Sequence, residues 1–428
     1  METVDTVIVG GGQSGLAMSR CLMDRNVSNV VLERGRLVER WRSQRWDNLR
    51  LLTPNWMTRL PGNYKYNGDD MDGFMTAQEA VKLFEDYAAS FNAPVLTETE
   101  VVEAERTKDG KIRIQTNEGG EFLARNLVIA TGFCDKPRRP SFGKDIPPHV
   151  VQIDAAMFKH ASQLPPGNVL IVGASASGCQ IAEELLDYND ENDTDPEYFG
   201  EITISVGKHL RLPRSYRGKD IVHWLDAIGF FKSPGRQEEE RGSPGPQLIG
   251  TPDHRDLDLG ILQNRGLRLV GRAIGLKESH GLKVIEFEDD LQNQLSNADN
   301  KMLSVLRSID KFIESNDEID APPACELPPV SCPNSPLLEI CLSTGYQTVV
   351  WATGYRREYN WLKTSLPSLL DENGEVRHDN GVTPLEGVYI LGMRFLRTKS
   401  SSFIDGVAAD AEYLANQIVQ RNSTLDKA

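Results

Sequence analysis

Thr6-Val-Ile-Val9 runs directly into Gly10-Gly11-Gly12-Gln13-Ser14-Gly15 and on into Leu16-Ala17-Met18. A short apolar run bounded by a turn signal predicts a buried strand, and the residues after Gly15 continue as an amphipathic helix. The three spaced glycines have separate tasks: Gly10 allows the tight turn, Gly12 lets backbone approach a pyrophosphate, and Gly15 lets helix and strand pack closely. The helix start, with Gln13 and Ser14, offers N–H donors and the positive end of its dipole to phosphate oxygens. Glu33 ends the second strand of this unit, about 20 residues on, where a carboxylate accepts hydrogen bonds from ribose hydroxyls.

The pattern returns at Val169-Leu-Ile-Val172, followed by Gly173-Ala174-Ser175-Ala176-Ser177-Gly178. Ser175 stands where the middle glycine is expected, and is small enough to leave room for a phosphate. After the next strand, Ile202–Val206, no carboxylate takes the ribose position; Ser205, Lys208, His209, Arg211 and Arg214 follow instead. A carboxylate would repel a 2′-phosphate, whereas Ser, Lys and Arg bind one, which favours NADPH over NADH. The other reading is that these cations offset the preceding acidic stretch, which runs from Glu183 to Glu201 without a Lys or Arg. Two dinucleotide sites on one chain imply electron transfer between two cofactors. FAD suits the first site, with its acid, and NADPH the second as hydride donor. The expected fold class is α/β with two Rossmann-like dinucleotide-binding domains.

A strand ending Ala-Thr-Gly occurs twice, at Ala130-Thr131-Gly132 and Ala352-Thr353-Gly354. The repetition suggests an NADPH domain inserted into an FAD domain, with residues 1–145 and 346–428 forming the FAD domain and 146–345 the insertion. Within 1–145, a helix is expected over Ala77–Phe91, and strands Val95–Arg106 and Lys111–Thr116 flank an Asp109-Gly110 hairpin turn. The insertion carries a helical stripe near 290–315, Leu291, Leu295, Ala298, Met302, Val305, Ile309 and Phe312, which predicts packing on its own domain, with a homodimer seam as the alternative. Residues 232–254 are expected to form a long surface loop. A final helix is expected over Val407–Gln420.

The net charge of -15 argues against binding nucleic acid or an anionic membrane. The six cysteines form no C-x-x-C pair and no metal-ligand spacing, so no metal is expected. No apolar run reaches membrane-span length, and the chain enters a strand at once, which points to a cytoplasmic protein.

Several segments together resemble the flavin-containing monooxygenase superfamily, which includes the YUCCA and Baeyer–Villiger monooxygenases, and within it a bacterial branch of FAD-dependent oxidoreductases. They are Val9–Ala17, Arg45-Trp-Asp-Asn-Leu-Arg-Leu-Leu-Thr-Pro54, Val172–Leu185, Pro213–Asp220, Trp351-Ala-Thr-Gly-Tyr355 and Ser401–Gly406. The resemblance implies that Gly10, Gly12, Gln13, Ser14, Gly15 and Glu33 hold the FAD diphosphate and ribose. It implies that Arg34, Trp41, Trp46 and backbone near Leu49 and Thr53 cover the flavin, that Val102 meets the adenine, and that Ala130, Thr131 and Gly132 close over the cofactor. Gly173, Ser175, Ser177, Gly178, Lys208, Arg211 and Arg214 would hold NADPH, and Thr353, Gly354 and Tyr355 would line the domain junction. For Trp41 and Trp46, core packing is the competing role. Asn55 is the one candidate catalytic group, a polar side chain able to stabilise a flavin C4a-hydroperoxide; Asp405 either caps the last helix or faces the flavin. The implied activity is NADPH-driven oxygenation of a small molecule with molecular oxygen. The family's F-x-G-x-x-x-H-x-x-x-[YF] fingerprint is degenerate here: His149 is present, but the spacing of Phe142 and Gly143 is wrong and Ile153 stands where an aromatic is expected. That departure leaves open an NAD(P)H:acceptor flavin reductase without oxygen insertion, or a non-catalytic flavin-binding protein.

Overall fold

The computed structural model describes residues 1–191, 198–235, 244–343, 345–363 and 366–427. Two parallel sheets organise the chain. In the first, Val95–Leu96, Asn29–Leu32, Glu2–Val9, Glu121–Ile129 and Val388–Ile390 lie side by side and parallel. The near end of Glu121–Ile129 also pairs antiparallel with Ile112–Thr116, which continues to Val101–Arg106. In the second sheet the order is Val151–Asp154, Tyr346–Trp351, Asn168–Val172, Ile202–Ser205 and Arg268–Val270, all parallel. The central strands are continuously apolar because helices or loops cover both faces: Val7, Ile8, Leu127, Val169 and Ile171 are fully buried.

The two sheets are joined by two crossing segments that pair with each other, Lys136–Pro137 antiparallel to Tyr355–Arg356. Tyr346–Trp351 sits between Val151–Asp154 and Asn168–Val172. The sequence boundary at 345/346 is therefore displaced: the chain leaves the inserted sheet only after Trp351. The reason lies in the second Ala-Thr-Gly, which marks the end of an inserted-domain strand as the first marks the end of an FAD-domain strand.

Local chemistry sets most of the helices. Ala77–Ser90 begins with a reciprocal Thr76–Glu79 capping box. Leu291–Glu314 buries Leu291, Leu295, Ala298, Ile309 and Ile313, and its Met302, Val305 and Phe312 pack beside Trp224 and Leu225, so its stripe packs on this chain. The final helix, Val407–Leu425, runs a turn longer than expected and buries Leu414 and Ile418 against the first helix, Gln13–Met23. Two expectations shift. The strand foreseen over Val95–Arg106 is broken at Glu98, whose φ of 53° turns the chain so that Thr99 N–H reaches the Glu33 carbonyl. Of the foreseen 232–254 loop, residues 236–243 lie outside the described residues; Pro246–Gln247 pairs with Leu210–Arg211.

Asp410, in the first turn of the final helix, is fully buried. Desolvation pushes its carboxyl up to about 6, against hydrogen bonds from Ser401 and Arg397 that pull it down. The folded protein thus holds this proton more tightly than the unfolded chain. The contribution favours folding at acid pH and is lost as pH rises from the ordinary 3.8 through 6. Asp410→Asn is expected to stabilise the protein at pH 7.5 by up to about 3 kcal/mol and to converge with wild type below pH 4, read from urea denaturation across pH.

Candidate active site

The two glycine turns have almost the same geometry. Gly10 has φ 115° and a Cβ there would lie 2.5 Å from the Ala130 carbonyl oxygen; Gly173 has φ 111° and the same 2.5 Å approach to the Ala352 oxygen. A Cβ on Gly15 would meet the Gly10 oxygen at 1.9 Å, and one on Gly178 the Gly173 oxygen at 1.9 Å. At Gly12, by contrast, nothing lies within 4 Å of a built Cβ. Gly10, Gly15, Gly173 and Gly178 are thus required by packing, while Gly12 faces open space at the helix start, where a phosphate is held by N–H donors. That open cradle fits a dinucleotide pyrophosphate.

Both turns open into one cavity of about 1640 Å³. Ligand pockets are ordinarily roughly 300–1,000 Å³, so the space suits more than one small molecule. Among the described residues nine Lys/Arg and five Asp/Glu line it, a cationic excess inside a chain of net charge -15. Such a charge distribution draws in anionic cofactors.

Gly10, Gly12, Gln13 and Ser14 line the cavity at the first turn, and Gln13 Nε2 donates to the Ser402 carbonyl at 2.9 Å, tying the C-terminal segment over it. Glu33 lines it too; its two oxygens accept from Gly11 N–H at 2.6 Å and Gly35 N–H at 2.9 Å. Arg34, Trp41, Thr53, Val102, Ala130, Thr131 and Gly132 are lining residues, as are Gly173, Ser175, Ser177, Lys208, Thr353, Gly354 and Tyr355. Trp41 is covered by Arg45 at 4.9 Å. Arg34 and Arg40 both reach Asp135, at 3.1 and 2.8 Å, and Asp135 also accepts from Glu358 N–H, joining the loop beside the first turn to the crossing segment.

Other sequence candidates lie elsewhere. Arg211 and Arg214 are 4% and 0% exposed. Arg211 is bidentate on Asp258 at 2.8 and 2.9 Å and also pairs with Asp299. Arg214 donates to Asp220 at 2.6 Å and to the Leu52 carbonyl at 2.9 Å. With their forks engaged and buried, neither reaches a 2′-phosphate. Trp46 is buried in the core of the inserted domain with Leu49 packed beside it, so neither covers a flavin. Asn55 is buried: its amide donates to the Asp70 carbonyl at 2.8 Å and its oxygen accepts from Met75 N–H at 3.0 Å. It staples a loop rather than facing the cavity. Asp405 does not cap the last helix; it is bidentate on Arg59, at 2.5 and 2.8 Å.

The sequence missed Arg272, which lines the cavity two residues past the strand Arg268–Val270. The signal was its place just beyond a parallel strand's carboxyl end, where open α/β sheets bind ligands. Lys399, also lining, carries no local motif. Cys134 is the one cysteine among the lining residues, and burial pushes its thiol up, so it stays protonated at neutral pH. All six cysteines are free.

With this geometry in view, the comparisons with known proteins are specific. A family profile described as pyridine nucleotide-disulphide oxidoreductase matches residues 7–193. An uncharacterised CzcO-like oxidoreductase of Geobacillus kaustophilus is 30% identical over 425 residues, 97% of this chain and 98% of that protein. The probable indole-3-pyruvate monooxygenase YUCCA1 of Arabidopsis thaliana is 31% identical over 192 residues, 43% of this chain and 44% of that one. A flavin-containing monooxygenase structure from Stenotrophomonas maltophilia superposes with a TM-score of 0.65 at 17% identity, covering 98% and 99% of the two chains. Fold and site define a two-dinucleotide oxidoreductase architecture. The chain belongs to the family of the CzcO-like oxidoreductases. No helix among the described residues is long and apolar enough to cross a membrane.

Arg211→Gln is expected to destabilise the cofactor-free protein by about 3–5 kcal/mol, because Asp258 would stay buried without its partner. Lys208→Gln, at an exposed position, is expected to stay within about 0.5 kcal/mol of wild type by the same urea titration.

Proposed function

We propose that this protein is an FAD-dependent monooxygenase that takes its electrons from NADPH and oxygenates a small organic molecule with molecular oxygen. The observation that carries the proposal is the pair of matching glycine turns opening into one cavity. When bound, FAD supplies a hydride acceptor for NADPH and a route for those electrons to oxygen.

The chain's own residues bind and orient. Gly10, Gly12, Gln13, Ser14 and Gly15 would hold the FAD diphosphate, Glu33 the ribose, and Val102 the adenine, with Ala130, Thr131 and Gly132 over the cofactor. Arg34, Trp41 and Thr53 would cover the flavin. Gly173, Ser175, Ser177 and Gly178 would hold the NADPH pyrophosphate. Lys208, joined by Arg272, whose pair with Glu288 is solvent-exposed and not buried like those of Arg211 and Arg214, would take over the 2′-phosphate role first read at those two residues. Thr353, Gly354 and Tyr355 would exclude water at the junction; Tyr355 is half-buried and desolvation pushes its phenol up, so it remains a neutral donor. The single lining cysteine speaks against disulfide exchange in the cavity.

Three measurements test this. NADPH is expected to bleach the bound flavin without oxygen, and oxygenated buffer then to yield an oxygenated product; quantitative hydrogen peroxide with every substrate offered would move the assignment to a reductase. Gly12→Ala should leave the cofactor-free protein's stability unchanged and abolish FAD retention, measured by absorbance after desalting. Replacing Lys208 and Arg272 with Ala should raise KM for NADPH about tenfold per cation while leaving KM for NADH near wild type.

A further inference from the structure

One part of the cavity is a lobe between the inserted region and the C-terminal part of the chain. Its wall is apolar, with Leu212, Val222, Leu225, Phe230 and Phe231 from the inserted region and Phe403 from the C-terminal part of the chain. The two contributions are stitched together by backbone: Gly235 N–H donates to the Arg397 carbonyl at 3.0 Å, Lys399 N–H to Ser233 at 3.2 Å, and Ser400 N–H to Phe231 at 3.3 Å. Pro234 and Thr398 form the bridge between these bonds. The lobe is therefore built at a paired seam.

Into this wall comes one ammonium. Lys399 Nζ stands 4.1 Å from the centre of the Phe230 ring and lines the cavity. Among the described residues no carboxylate stands within ion-pair distance of it. The lining acids, Glu33, Glu39, Glu100, Asp135 and Glu358, lie on other segments, and Asp405, six residues on, has both oxygens on Arg59. A cation held on an aromatic face inside an apolar lobe, without a counter-charge among the described residues, is a docking point for a ligand anion. The apolar wall selects the remainder of the molecule by burial.

We propose that this lobe binds a hydrophobic organic acid, its carboxylate on Lys399 and its aryl or alkyl body between Phe230, Phe231 and Phe403. The inference rests on the monooxygenase reading for what then happens to the substrate, and concerns recognition alone. It adds Lys399 as the residue that decides between acids and their neutral counterparts.

The test uses the flavin-loaded protein and matched ligands: phenylacetate, 3-phenylpropionate, 4-phenylbutyrate, 2-naphthylacetate and octanoate, each beside its primary amide and the corresponding amine. Affinities come from calorimetry, with perturbation of tryptophan fluorescence as a second readout. At least one acid is expected to bind tenfold or more tightly than its amide, with the preference weakening as salt rises. Lys399→Met, which keeps an apolar stem against Phe230, should bring acid and amide to within twofold, and Lys399→Arg should restore the preference. Equal binding of acids and amides across the set, tighter binding of amines, no binding by any acid, or a preference that survives Lys399→Met would each overturn the proposal. If NADPH fails to bleach the flavin while the acid preference stands, the functional reading falls and the anion site remains. Bleaching without any acid preference sinks the anion site alone.

Discussion

Everything at this site depends on one contact made twice: a backbone carbonyl resting on the first glycine of a turn. Ala130 closes on Gly10 and Ala352 on Gly173, each so near that even a methyl group would collide. The contact forces a left-handed backbone at the glycine and brings the end of a neighbouring strand over the helix start. It also explains the sequence repeat, since each Ala-Thr-Gly is the continuation of the strand whose carbonyl makes the contact. The two turns consequently present their open helix ends at the same kind of sheet edge, and the crossing segments Lys136–Pro137 and Tyr355–Arg356 aim those edges at each other. A shared cavity is the outcome of that geometry.

Around the turns, polar side chains secure the two sheets against each other. Lys159, from the inserted region, donates to the Ser43 and Arg45 carbonyls at 2.5 and 2.7 Å. Arg214 reaches across to the Leu52 carbonyl, and Asp135 collects Arg34, Arg40 and Glu358 N–H. Apart from the exposed Arg34, these groups are buried or half-buried and hydrogen-bonded, which is the condition under which charge is tolerated away from water. They fix the cavity walls without entering the chemistry.

The fold was legible in the sequence because its signals are local. Glycine spacing, the run of apolar residues before each turn, and the stripe from Leu291 to Phe312 depend only on neighbours a few residues away. The cavity-lining side chains were legible where they sit within the turns themselves. They were not legible where a distant partner decides: nothing near Arg211 announces Asp258 or Asp299, so its charge looked available when it was already paired. Trp46 likewise looked like a cofactor aromatic, because the core that receives it is built from residues more than a hundred positions later. Arg272 and Lys399 escaped for the converse reason, since their surroundings are assembled by strand order and by a seam between remote segments.

Trp46 has a further consequence. It belongs by sequence to the first sheet's chain segment, yet it completes the apolar interior of the inserted domain beside Phe158, Leu185 and Phe199. The inserted part does not own a finished interior by itself, whereas the core of the first sheet draws only on residues up to Phe133 and from Tyr359 onward. A chimera that exchanged residues 151–351 with those of a relative would leave a hole or a clash where the indole enters, unless the segment carrying Trp46 travelled with it. Evolution of this architecture by swapping nucleotide modules is therefore constrained by a single tryptophan outside the module.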